Sequence, residues 1–128
     1  MLNINKQIYT LATLASGATE ATPGTQHNFG DRPPVNAVRL TARATGVAGT
    51  ITGALTITLS VSPDATNFDS ADRSNLILTT TVDIGAATKQ FSDLFYLAGA
   101  YAIRVEKVAN TFGDDVTDVT VDINYVER

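Results

Sequence analysis

Apolar and polar side chains alternate without exception along residues 55–62, and a second run over residues 118–125 repeats the pattern. The apolar positions are Leu55, Ile57, Leu59 and Val61 in the first run, and Val119, Val121, Ile123 and Tyr125 in the second. Because successive side chains of a strand point to opposite faces, both runs predict antiparallel strands with one buried and one solvated face.

Weaker alternation recurs in five further segments, which are residues 7–15, 37–44, 75–82, 89–94 and 100–108. Thr, Val and Ile dominate these segments, as is typical of pleated, half-buried strands. No stretch combines a helical period with helix caps. We therefore predict an all-β chain, a single antiparallel β-sandwich of about seven to eight strands. The pattern leaves the topology open between immunoglobulin-like and jelly-roll.

The 128 residues are enough for one domain, which we expect to span residues 1–128. Residues 16–34 break the strand pattern, because they hold three of the four prolines and few apolar residues. This segment predicts a long connection or an arm without regular structure.

We expect the arm to bind a neighbouring subunit, since a long structureless connection in a small sandwich is usually functional or disordered. Phe29 would be its apolar anchor, and Arg32 would pair with an acidic surface. Pro33 and Pro34 favour an extended path. The alternative interpretation is a surface loop without a partner.

Charge and composition remove several classes of partner. The net charge is −4 and the nine basic residues are scattered, which disfavours nucleic acid. The chain has no cysteine, so disulfides and thiolate sites are excluded. No apolar stretch is long enough to cross a membrane, and no secretory signal is visible at the N-terminus.

Two segments resemble known protein families. VSPDATNFDS resembles the strand-exit turn Ser-x-Asp-Gly-Thr-Asn-aromatic of small β-sandwich proteins in tailed bacteriophage virions and of some sugar-binding sandwiches, with Ala65 in place of glycine and Phe68 in place of tryptophan. The last 30 residues or so, from AGAYAIRV onward, resemble the final two strands of immunoglobulin-like sandwiches. Tyr101 stands where those sandwiches have the tyrosine-corner residue.

Candidate chemistry is sparse. The oxygen-bearing residues of the turn are weak calcium candidates, but their spacing does not match an EF-hand, and we expect turn formation without an ion. These residues are Asp64, Asn67, Asp69 and Asp72. A second acidic cluster, over residues 114–118, fits a solvated hairpin turn. His27 is the only histidine and stands in no catalytic motif, so we expect neither an enzyme nor a cofactor.

The phage resemblance implies a non-enzymatic structural virion protein, assembled in the host cytoplasm. It would be a capsid decoration or cement protein, or a minor head or tail protein. Its partners would be the major capsid protein or another virion protein, with homo-oligomers expected. The alternative is a carbohydrate or surface-ligand binding module of a tail fibre or baseplate. That module would have both acidic clusters at one end, with Tyr9, Tyr96 and loop phenylalanines as the remaining aromatic platforms.

Overall fold

A computed structural model describes residues 2–30, 37–46, 53–70, 72, 74–80, 88–97 and 99–127. These residues form nine β-strands: β1 (Leu2–Leu14), β2 (Thr19–Glu20), β3 (His27–Asn28), β4 (Val38–Gly46), β5 (Leu55–Ser62), β6 (Leu76–Thr80), β7 (Thr88–Phe95), β8 (Ala102–Asn110) and β9 (Val116–Glu127). The prediction of an all-β fold is confirmed. Within the described ranges, no helix has the length and apolarity needed to span a bilayer.

The strands form two antiparallel sheets that pack face to face. The first sheet has the order β1-β9-β4-β7, and the second has the order β2-β8-β5-β6, with β3 also paired to β8. Every pairing is antiparallel. Among the described strands, only the pair of β5 with β6 joins consecutive strands, and the other six pairs join strands that are distant in sequence.

This strand order is that of a jelly roll. If β2 and β3 are counted as one interrupted strand, the chain pairs its first strand with its last, its second with its seventh, its third with its sixth, and its fourth with its fifth. A long hairpin wrapped into two sheets gives this pattern. The resemblance of the last 30 residues or so to the final two strands of immunoglobulin-like sandwiches was misleading, because β8 and β9 lie in different sheets.

The connection over residues 16–34 is more ordered than predicted. β2 pairs with the end of β8 and β3 with its beginning, so the described part of the segment runs along one edge of the second sheet. Between the two strands, the Gly24 N–H donates to the Val105 carbonyl at 2.8 Å. Backbone hydrogen bonds, not side-chain periodicity, hold this stretch as a strand, and so the alternation did not reveal it.

The core lies between the two sheets. The inner row of β9 is buried as predicted, with Val119, Val121 and Ile123 fully covered and Tyr125 4% exposed. The inner row of β5 is also buried at Leu55, Ile57 and Leu59.

The solvated face predicted for residues 55–62 was wrong, since Thr58, Ser60 and Ser62 are buried. The Ser60 hydroxyl donates to the Glu106 carboxylate, which also accepts from the Arg104 guanidinium. Arg104 in turn stacks over the Phe68 ring, 4.0 Å from its centroid. Long side chains of β8 and the loop after β5 therefore cover this polar face.

Candidate partner-binding surfaces

Phe29 does not lie on the surface, where the predicted anchor would have to be. Its side chain is 5% exposed and its ring packs edge-on against the rings of His27 and Tyr125, at centroid distances of 5.3 and 5.2 Å. The Phe29 N–H donates to the Tyr101 carbonyl. The Phe29 side chain therefore packs in the core of its own chain. The other predicted contacts, Arg32, Pro33 and Pro34, lie outside the described residues.

The loop after β5 forms a closed hydrogen-bonded turn around Asp64. The Asp64 carboxylate accepts hydrogen bonds from the backbone N–H groups of Thr66 and Asn67. It also accepts from the Asn67 side-chain amide and from the Ser62 hydroxyl. These bonds, those of Asn67 foremost, lower the pKa of Asp64. Among the described residues no three acidic or histidine side chains converge as a metal site requires. Both Asp64 oxygens thus serve the turn that was predicted from sequence.

The two acidic clusters lie at opposite ends of the sandwich. Ser62, which leads into the Asp64 loop, pairs with Ala102 at the beginning of β8, whereas Leu55 pairs with Asn110 at its end. The segment over residues 114–118 follows that end of β8. It crosses to β9 in the other sheet and is not the predicted hairpin turn. The expectation that both clusters line one binding end is therefore contradicted.

Tyr101 makes hydrogen bonds to two other segments through its backbone. Its N–H donates to the Ser62 carbonyl and its own carbonyl accepts from Phe29. Its hydroxyl makes no hydrogen bond with another described residue. Among the described residues, the side-chain bond that defines a tyrosine corner is therefore not found.

An exposed apolar patch lies on the outer face of the first sheet. Leu94 is 52% exposed and lies opposite Arg39 in the β4–β7 register, while Tyr96, just beyond β7, is 81% exposed. We call Arg39, Leu94 and Tyr96 the outer-sheet patch. Sequence alternation over β7 gave no reason to expect an exposed leucine there, since leucine is usually buried, whereas Tyr96 was already a candidate for an exposed aromatic ring.

The outer-sheet patch borders a polar depression of about 320 Å³. Two arginines reach across it to neutral partners on β7: Arg39 donates to the Ser92 hydroxyl at 3.2 Å, and Arg43 donates to the Gln90 amide oxygen at 2.7 Å. Asp122 lies between them on β9. The two bonds to neutral partners position both guanidinium groups on the outer face of the first sheet.

A second surface is the groove beside the outer edge of β1. About 650 Å³ in volume, it is lined by residues 7–11 of β1 and by Glu20 and residues 22–25, which lie along the edge of the second sheet. We call it the edge groove. Tyr9 fits closely against Gly24, where an added Cβ atom would lie 2.7 Å from the ring. Tyr9 is half-buried, so the groove has an aromatic wall.

Glu20 is the acidic residue of the edge groove. Hydrogen bonds from Thr22 hold its carboxylate in place and lower the pKa of Glu20. Burial, with a smaller contribution from the charge of Glu20, raises the pKa of Tyr9. The groove therefore presents a neutral phenol beside a carboxylate. The sequence gave no sign of this juxtaposition, because it depends on β1 and β2 lying at neighbouring sheet edges.

Comparisons of the chain with protein-family models, with curated proteins and with solved structures found no match.

Proposed function

We propose that this chain is a non-enzymatic structural protein of a tailed bacteriophage particle, a capsid decoration or cement protein or a minor head or tail protein. It would bind neighbouring shell subunits, either the major capsid protein or another virion protein. The resemblance of the Asp64 turn to turns of virion sandwich proteins provides the starting point for this proposal.

The outer-sheet patch is the observation that carries the proposal. Tyrosine and arginine are enriched where proteins bind one another, and an exposed aromatic beside an aliphatic side chain gives a contact that excludes water. Tyr96 and Leu94 provide the apolar surface, and Arg39 provides a positioned charge. An acidic or amide-rich patch on a shell subunit would complement this surface.

The jelly roll is compatible with the proposed function, since capsid and lectin domains both use it. Fold alone does not assign a function. Its contribution here is a four-stranded outer sheet face that can be presented repeatedly. On a symmetric shell, many weak contacts of this kind add up to high avidity.

The test compares virions from a genome encoding this chain with virions from a genome that encodes the double substitution Leu94→Ser and Tyr96→Ser. Quantitative mass spectrometry of purified particles should find the unaltered chain in many copies per particle and the variant strongly depleted. The control is Ile77→Ser, because Ile77 is also exposed but lies on β6 in the other sheet. Particles that lack the unaltered chain would refute the proposed function.

A carbohydrate-binding module of a tail fibre or baseplate is the second candidate. The observation in its favour is the exposure of Tyr96, since a free aromatic ring beside polar side chains is the platform that sugars stack on. A glycan array with the purified chain tests it. Binding that Tyr96→Ser abolishes would support this candidate, and an array without any hit would remove it.

A further inference from the structure

β1 is an exposed sheet edge with few of the features that normally prevent strand pairing. It is 13 residues long and lies at the end of its sheet. It contains no proline, and Lys6 is its only charged residue. Proteins usually protect such edges with charges, prolines or short strands, because the unpaired backbone groups can pair with another chain.

The bulge in β1 gives the strand an approximate two-fold pattern. The register with β9 shifts between Gln7 and Tyr9, so that Ile4, Lys6, Tyr9 and Leu11 all lie opposite buried residues of β9. Directly opposite residues share a face of a sheet. These four side chains therefore point towards the second sheet, whereas Asn5 and Thr10, opposite Asn124 and Thr120, point outward.

An antiparallel pair of two β1 strands is consistent with this pattern in one register. If the two-fold axis passes between Gln7 and Ile8, Ile4 faces Leu11 of the other copy, Lys6 faces Tyr9, and Asn5 faces Thr10. The first two pairs would meet on the inner face and the third on the outer face. The two Gln7–Ile8 pairs next to the axis fall at the bulge and are not matched, because Ile8 is buried in the core whereas Gln7 is exposed. In a strand without a bulge, residues whose numbers differ by an odd number point to opposite faces. The residues paired in this register would then not share a face.

The charges of the two copies are also complementary in this register. Lys6 of one copy would lie opposite Tyr9 of the other, and Tyr9 shares the edge groove with Glu20. The ion pair within the described part of the chain joins Arg104 to Glu106, and neither Lys6 nor Glu20 takes part in it. Dimerisation would thus form two equivalent Lys6–Glu20 contacts.

We propose that two copies of this chain associate through antiparallel pairing of their β1 strands, with Lys6 of each copy beside Glu20 of the other. The first sheets of the two copies join into one continuous sheet of eight strands. Such an interface uses the same surface on both copies, as two-fold dimers do. It goes beyond the proposed function and does not depend on which particle the chain binds.

The decisive experiment uses charge reversal and mixing of the full chain, measured by sedimentation velocity. The unaltered chain should dimerise, and Lys6→Glu and Glu20→Lys should each weaken dimerisation about tenfold or more, because like charges then meet at both junctions. Lys89→Glu, the same charge change on the edge strand β7 at the other end of the sheet, is the matched control and should leave dimerisation unchanged.

Mixing the two weakened variants should restore dimers that contain one copy of each. One copy then presents carboxylates at both positions and the other presents ammonium groups at both, so both junctions again join opposite charges. A contact within one chain would not recover on mixing. The proposal fails if the unaltered chain is monomeric, if the single reversals have no effect, or if the mixture stays weakened.

Cysteine cross-linking checks the register independently, since the chain contains no cysteine of its own. A mixture of the Asn5→Cys and Thr10→Cys chains should form a disulfide between copies, because these residues lie opposite each other. Asn5→Cys alone should not, since its two copies lie five residues apart, about 17 Å along the strand, and a disulfide requires Cα atoms within about 7 Å. Cross-linking of Asn5→Cys alone, or none in the mixture, would overturn the register.

Discussion

The Nε2 atom of His27 lies 2.9 Å from the hydroxyl oxygen of Tyr125. This hydrogen bond joins β3, on the edge of the second sheet, to β9 in the first sheet, and the Phe29 ring packs against both partners. The described part of the Pro- and Gly-rich connection is therefore fastened to the sandwich at a titratable side chain.

Folding stability should decrease as the pH falls below about 6.5. Burial, followed by the charge of Lys6 on β1, lowers the pKa of His27 below 6.5, with Glu127 on β9 opposing the shift. The unfolded chain therefore binds the proton more readily than the folded chain does. The contribution of neutral His27 to folding stability is fully present above the pKa that the side chain has in the unfolded chain. This contribution is lost as the pH falls towards the lowered pKa of the folded chain.

Urea unfolding at a series of pH values between 7.5 and 5 measures this effect. In His27→Gln the decrease over that range should be clearly smaller, because the titrating group is gone while a side-chain hydrogen-bonding group is retained. An equal pH dependence in both proteins would assign the decrease to other groups.

Replacing Asn110 should destabilise the end of the sandwich where β1 stops. Its buried amide donates to the carbonyls of Leu14, Ala15 and Asp114, and its oxygen accepts from the Phe112 N–H. Asn110→Leu removes these four hydrogen bonds, of which those to the Leu14 carbonyl and from the Phe112 N–H are buried, and we expect a loss of about 3 kcal/mol. Asn124→Leu, an exposed change on β9, should shift the unfolding free energy by less than about 0.5 kcal/mol. Chemical denaturation of the two variants provides the comparison.

Ala65→Gly should stabilise the chain. Ala65 has a φ of 65° in the Asp64 turn, a left-handed conformation that glycine adopts without strain. After allowing for the greater freedom of glycine in the unfolded chain, we expect a gain of about 0.5 to 1 kcal/mol. Ala12→Gly, in the extended strand β1, should instead cost about that amount. A thermal melt in which Ala65→Gly lowers the Tm would contradict the expectation.

Gly53→Ala should be far more damaging than Gly17→Ala. Both glycines have positive φ, but a Cβ atom on Gly53 would lie 2.2 Å from the Thr111 carbonyl oxygen, whereas one on Gly17 would meet nothing within 4 Å. We expect a loss of more than about 3 kcal/mol at Gly53 and of about 1 kcal/mol at Gly17. Equal losses, measured by denaturation, would show that the backbone at Gly53 relaxes away from Thr111.

Local alternation was sufficient to predict β9 and the inner face of β5, because each of those faces meets the opposite sheet. It could not predict that Ser60 is buried, since its cover comes from Glu106 and Arg104 on β8 and from a loop. The strand order could also not be predicted from the sequence pattern. The difference between an immunoglobulin-like sandwich and a jelly roll depends on pairings between distant segments, such as β1 with β9.

The candidate surfaces were harder to predict than the fold. Phe29 was predicted as the apolar anchor of an arm that binds a neighbouring subunit, but its ring packs within its own chain against His27 and Tyr125. The edge groove depends on Tyr9 and Glu20, which come together because β1 and β2 are edge strands of different sheets. In the outer-sheet patch, Tyr96 was already a candidate for an exposed aromatic ring, but Leu94 was missed because leucine is usually buried.

The pairing of β1 with β9 also has a consequence for biosynthesis. During translation β1 leaves the ribosome before every other described strand, and its partner β9 leaves after them. At typical rates of synthesis the wait is about 5 to 20 seconds. Throughout this interval β1 has unpaired backbone groups on both edges and an uncovered apolar face. Nascent chains on one message are thus most prone to premature association at β1, and a chaperone that holds this strand should raise the yield of folded protein.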